Sequence, residues 1–297
     1  MQAVVQTERL TKRFGNTVAL SELDLEIEVG QRVAIVGQPG AGKTTLVRIL
    51  VDVIHPTSGR ARVAGFDTTR ASYQVRRVVG WVPGDIRLPG ELSVSTFLRR
   101  MADFKRSDPD TSQRAEVLAR IDVAPDDNLR ELNPNEQFVV ALLAALQKQP
   151  EVLIMDEPLA HAGKHRDLVV ELLAGLPERT TVLATARDLT ITDHVNERVL
   201  LLDGGRLVAD GPLDTLRRRV RQRTELFFAS TPTEAAVRSL PGVLDCVISE
   251  NMARVLSVGP TDVLIDRARS LGLVDAVVFE PGLAELVSDH RLLAGRS

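Results

Sequence analysis

Apolar residues in this chain gather first into short unbroken runs rather than strict alternation: residues 32–36, 78–82, 152–155 and 181–184 are each four or five residues long and rich in valine, isoleucine or threonine. Runs of that length and composition are expected of strands covered by helices on both faces. The first leads into the Gly-rich stretch GQPGAGKTT and then TLVRILVDVI, whose apolar positions suit a buried helix stopped before Pro56. Between the second and third runs, residues 93–146 carry helical periodicity and almost no strand signal, interrupted by SDPD and APDD. That pattern predicts a helical lobe inserted over about residues 91–150. The stretch RVLLLDGGRLVADG alternates around Gly204-Gly205 as a hairpin does, and GPLDTLRRRV reads as a helix leading out of it. From Thr224 the order becomes strand, helix, strand, strand, helix, strand and a last helix, which is the ferredoxin-like sequence of elements. Two domains are therefore expected, residues 1–223 and 224–297, the first α/β and the second a small α+β module.

Composition narrows the function classes. A length of 297 residues exceeds what one core comfortably serves, and 44% hydrophobic with 26% charged residues is ordinary for a globular chain. The formal net charge of -3 offers no general nucleic-acid-binding surface. The basic stretch RRRVRQR, Arg217 to Arg223, reads first as a solvated helix end and second as a contact for anionic headgroups or a partner. One cysteine, Cys246, excludes an internal disulfide, and five histidines without ligand spacing give no metal cluster. The N-terminus lacks the order of a signal peptide, and the longest apolar run, Phe138 to Leu146, is far short of the roughly 20 residues a membrane span needs. Work at a membrane would then pass through a partner. No catalytic cluster stands out after Thr224, so that module reads as structural, dimerising or regulatory.

Chemistry concentrates in two motifs. Residues Gly37 to Thr44 fit G-x-x-x-x-G-K-[ST] between a predicted strand and a predicted helix. Glycines let the backbone curl so that successive N–H groups and a helix N-terminus face phosphate oxygens. Lys43 can then neutralise terminal phosphates and the Thr44 hydroxyl can ligate magnesium. The nucleotide-binding set is Gly37, Gln38, Pro39, Gly40, Ala41, Gly42, Lys43, Thr44 and Thr45. The second motif, VLIMDE, is a strand ending in Asp156 and Glu157. An acid there can hold magnesium with Thr44, and its neighbour is placed to orient or deprotonate an attacking water.

Together Phe14, the Gly37–Thr45 loop, NLRELNPNEQ, PEVLIMDEP and TVLATARDL…ERVLLLDGGRLVADG resemble, in order and spacing, the ATP-binding subunits of ABC transporters over roughly residues 4–220. The appended module, with FEPGLAEL, resembles the C-terminal extension of drug-exporter subunits of the daunorubicin-resistance type. The resemblance implies a P-loop ABC-type ATPase domain with a mixed sheet core, an antiparallel β subdomain and the helical lobe. It also implies Mg2+ and ATP as cofactors, integral membrane permease subunits as partners, and residence at the cytoplasmic face of the membrane. Each ATP would lie between the P-loop of one subunit and the signature helix of another.

By the same resemblance Phe14 would stack on adenine, Thr44 and Asp156 would hold the metal, and Lys43 and Glu157 would be catalytic. The departures sit in elements that complete the site. Asn133-Pro134-Asn135 stand where the family has Ser-Gly-Gly, Arg187 replaces the switch histidine, Gly163 stands where an Asp faces the partner site, and Gly84 replaces a magnesium-contacting Gln. Pro134 has no N–H to give, yet Asn133 and Glu136 form a capping-box pattern, so the helix is expected to persist while its phosphate grip weakens. Losing one such contact typically costs about 10²–10³ in rate, so a heterodimer with a second ABC ATPase subunit is favoured over a homodimer. Either the chain couples ATP binding and impaired hydrolysis to permease movement, or it is a regulatory half whose partner hydrolyses ATP. Arg187 is expected either to reach the γ-phosphate, to pair with Glu157 and silence it, or to be a surface charge beside Asp188.

Overall fold

The computed structural model describes residues 3–103, 111–190 and 198–294; the SDPD interruption lies outside them. The chain divides into two compact units, Met1–Leu207 and Val208–Ser297.

The first unit opens with a long hairpin, β1 (Ala3–Phe14) and β2 (Thr17–Glu28). It continues through β3 (Arg32–Val36), α1 (Lys43–Leu50), β4 (Ser58–Val63), β5 (Phe66–Asp67), α2 (Ser72–Val78) and β6 (Val79–Val82). The expected helical lobe follows as α3 (Val94–Asp103), α4 (Thr111–Arg120) and α5 (Pro134–Leu146). Then come β7 (Val152–Met155), α6 (Pro158–Ala162), a 3-10 turn at Gly163–His165, α7 (Arg166–Ala174), β8 (Thr181–Ala186), β9 (Arg198–Asp203) and β10 (Arg206–Gly211).

Two sheets form. An antiparallel one runs β2-β1-β4-β5, and a six-stranded one runs β10-β9-β3-β8-β7-β6, with β3, β6, β7, β8 and β9 parallel. Every residue of β7 and β8 is buried, which is why those strands read as unbroken apolar runs rather than alternating ones. Leu10, Leu20 and Ile27 of the hairpin share one core with Val33, Ile35, Ile154, Leu183 and Leu200 of the larger sheet. Residues Phe138 to Ala145 of α5 are all buried, so the longest apolar run of the sequence is a core helix. Among the described residues no helix is long and apolar enough to cross a membrane.

In the second unit α8 (Leu213–Arg218) precedes β11 (Gln222–Phe228), α9 (Glu234–Arg238), β12 (Val243–Ser249), β13 (Met252–Ser257), α10 (Thr261–Arg269), β14 (Leu273–Phe279) and α11 (Leu283–Ala294). From β11 to β14 this is the expected β-α-β-β-α-β order, folded as an antiparallel sheet β12-β13-β11-β14. Alternate residues of β11 point inward, and Leu226 and Phe228 pack with Val237, Leu240, Val255, Leu264 and Ala268.

Candidate nucleotide-binding site

The P-loop joins β3 to α1 at the C-terminal end of a parallel strand, where ligands of open α/β sheets gather. Gly42 caps α1 in the left-handed region (φ 102°) with no side-chain cap, so the helix keeps its first amides for a ligand. A Cβ at Gly42 would stand 2.4 Å from the Ala19 carbonyl and 2.9 Å from the Leu20 side chain, so only glycine lets the loop pass this close to β2. The Gly205 amide donates to the Ala41 carbonyl at 3.1 Å, tying the loop to the β9–β10 turn.

Lys43 is almost fully buried, and its Nζ donates to the carbonyls of Gly37 (2.7 Å) and Gln38 (3.2 Å). Burial pushes its ammonium below the usual lysine pKa against the attraction of Glu157, and Arg187 pushes the same way as burial. Phosphate oxygens are the acceptors that would offset this desolvation.

Asp156 and Glu157 follow β7, as the motif predicts. Asp156 Oδ1 accepts from the Thr44 hydroxyl at 3.3 Å and from the Thr185 hydroxyl at 2.5 Å, while Thr185 Oγ1 accepts the Glu157 amide at 2.9 Å. Thr185 therefore fixes both acids. Sequence reading missed it, although a hydroxyl inside the fully buried TVLATA strand was the available signal. Among the described residues no set of three or more His, Cys, Asp or Glu is disposed to hold a metal alone. One carboxylate and one hydroxyl beside a phosphate cradle nevertheless suit magnesium, which takes few protein oxygens and completes its shell with substrate phosphates and water.

Glu157 adopts φ 53°, and its side chain is only 12% exposed. Arg187, at the end of β8, donates from Nε to Glu157 Oε1 at 2.7 Å. The guanidinium pKa is raised, first by that hydrogen bond and then by the charge of Glu157. Of the expected roles for Arg187 the geometry realises the pairing with Glu157; Asp188 instead accepts from Thr190. A cavity of about 200 Å³ beside the pair is lined by Glu157, Arg166, Thr185, Arg187 and Thr190. Phe14 ends β1 half-exposed, with Lys12 Nζ 4.9 Å from its ring centroid. That ammonium covers one face of the ring.

The N-terminus of α5 is different from that of α1. The Asn133 side chain accepts from the amides of Asn135 (3.0 Å) and Glu136 (3.1 Å), the Glu136 carboxylate accepts the Asn133 amide (3.0 Å), and the Gln137 amide donates to the Asn133 carbonyl. This is the expected capping box, and Pro134 brings no N–H of its own. The first-turn donors of α5 are already engaged or absent, and an acid sits among them. Asn135 also reaches the loop after the acids: a Cβ at Gly163 would lie 2.2 Å from Asn135 Nδ2.

A buried-lysine P-loop facing a strand-end aspartate defines a P-loop nucleotide-binding domain, and the inserted helical lobe marks the ATP-binding cassette form. The sequence profile described as "ABC transporter" matches residues 20–160. The daunorubicin resistance ATP-binding protein DrrA3 of Streptomyces coeruleorubidus is 35% identical over 218 residues, covering 69% of this chain and 67% of that protein. The phosphonates import ATP-binding protein PhnC of Stutzerimonas stutzeri is 32% identical over 244 residues, covering 74% and 88%. A solved structure of an ATP-binding subunit of an ABC transporter superposes with a TM-score of 0.66 at 20% identity, over 72% of this chain and 92% of that one. This chain belongs to the ABC transporter family, as an ATP-binding subunit.

Proposed function

We propose that this chain binds Mg-ATP at its P-loop as the energy-coupling subunit of an exporter, docked through permease subunits at the cytoplasmic face of the membrane, with its own hydrolysis restrained. The observation that carries the restraint is the 2.7 Å contact of Arg187 with Glu157. The carboxylate best placed to activate a water is engaged by a cation that no accessible pH removes. Thr44 and Asp156 are the residues that would hold magnesium, which when bound neutralises charge on the β- and γ-phosphates. Lys43 would exchange its two loop carbonyls for phosphate oxygens, Phe14 would stack on the base, and Thr185 would keep both acids in place. Export, rather than import, is supported by likeness to the daunorubicin-resistance relative, although relatives named for import match as well.

We further propose a heterodimer, in which this chain's P-loop faces the signature helix of a second ATPase subunit. The capped first turn of α5 favours this arrangement, since it offers a partner's nucleotide few donors. The same observation supports a second reading, a regulatory half whose partner does the hydrolysis. ATP turnover of the membrane assembly purified through a tag on this chain, native against Glu157→Gln, separates the two. A fall of about 10²-fold, the usual worth of a general base, is expected if this chain hydrolyses ATP. Unchanged turnover would assign hydrolysis to the partner.

A further inference from the structure

The space beside Gly84 is occupied from another element. A Cβ built at Gly84 would lie 3.0 Å from His161 Nε2, 3.4 Å from the Asp156 carbonyl oxygen and 3.7 Å from the Asp156 Cβ. His161 sits near the end of α6, five residues after Asp156, and its ring stacks on that of the fully buried Phe138 of α5, with centroids 6.1 Å apart and planes at 25°. Phe138 is immobilised in the helical-lobe core, so the stack holds the imidazole in place. Among the described residues no side-chain hydrogen bond uses either ring nitrogen. A polar nitrogen is thus held against the Gly84 backbone beside Asp156. The neighbouring loop residue, a glycine, supplies no side chain there.

Resting on the Mg-ATP reading above, we infer that His161 is a positioning residue for the metal shell: across Gly84, its Nε2 hydrogen-bonds a water of the magnesium held by Thr44 and Asp156. Glycine at 84 and histidine at 161 then form one unit. The glycine leaves the room that the ring fills, and a larger residue at 84 requires the ring to move. A water-mediated contact of this kind orients the ion without replacing a ligand, in the way outer-shell partners tune other metal sites.

The test uses the full-length chain and a non-hydrolysable ATP analogue, so turnover is not the readout. With ring-labelled histidines, Mn2+ replacing Mg2+ is expected to broaden the His161 signal well before that of His55, which lies beyond the far end of α1. Equal broadening of the two overturns the inference. In parallel, the gain in analogue affinity on adding Mg2+ is measured. His161→Ala is expected to reduce that gain about fivefold, the worth of one hydrogen bond, while the magnesium-free affinity stays unchanged. Gly84→Gln placed in the His161→Ala background is expected to restore the gain, because the longer side chain enters the vacated space. An undiminished gain in His161→Ala, or an equal loss with and without Mg2+, overturns the role of His161 while leaving the nucleotide site intact. No magnesium-dependent binding by the native chain overturns both this role and the function on which it rests.

Discussion

Removing the Arg187 guanidinium should raise ATP turnover. The Arg187 side chain is 63% exposed and the Glu157 side chain 12%, with N–O at 2.7 Å. Exposed ion pairs contribute about 0–1 kcal/mol and hydrogen bonds to charged groups about 1.5–3. The exposed guanidinium is screened by water, which brings the pair to about 1 kcal/mol. At that strength the carboxylate is held in the pair about five times as often as it is released. If Glu157 must leave the pair to receive a proton from water, Arg187→Ala should accelerate turnover about fivefold in the assembled transporter. Lys43 would not be compromised, because Arg187 is one of the groups depressing its pKa. The assay is steady-state phosphate release at saturating Mg-ATP, with Glu157→Gln as the baseline. A fall of tenfold or more would refute the restraint and show that the guanidinium supports transition-state charge instead, as arginine fingers do. Unchanged turnover in Arg187→His would argue against both roles.

Two further outcomes follow from the loop after the acids. Gly163→Asp, which restores the family residue there, is expected to destabilise the chain by about 1–3 kcal/mol, because φ is 52° and the new Cβ meets Asn135. Asn135→Gly in the same background should recover only the steric part, as read by urea denaturation; a fully stable single variant would refute the coupling of the two positions. His165 is buried, and burial, reinforced by Lys164, lowers its pKa while Glu136 opposes the shift. The folded state therefore keeps the imidazole neutral to a lower pH than the unfolded chain, whose histidine titrates near about 6.5. Stability should be unaffected by His165 above that value. It should fall as pH drops below it, and level off once pH passes the folded value. Thermal melts of native and His165→Gln between pH 7 and 5, at about those values, should diverge in that sense; parallel curves would contradict it.

The strands of the large sheet and the P-loop were legible because both are local. A run of apolar β-branched residues is what two-sided burial selects, and the loop's glycines answer to backbone geometry within a few residues. The capping box of α5 was legible for the same reason, since Asn133 and Glu136 are three residues apart. The long β1–β2 hairpin was less so. Its pairing shifts register between Thr7 and Leu10, where Arg9 takes φ 45°, and such bulges break the period-two signal that strands otherwise give. Thr185 and His161 went unread because nothing nearby in sequence explains them. Thr185 is linked to residues 156 and 157 across a sheet, and His161 to Gly84 and Phe138 across three elements.

The sequence by itself determined the fold class, the order of elements from β11 to β14 and the glycine-rich loop between β3 and α1, all of which depend on patterns a few residues wide. It also raised the pairing of Arg187 with Glu157, but left it beside two other roles. Only the tertiary structure shows the contact itself, because it depends on how β8 packs against β7. The same holds for the Asn135 side chain meeting Gly163 and for the ring that fills the space beside Gly84. Contacts between residues distant in sequence are set by packing, and close packing admits one arrangement of side chains where the linear pattern admits several.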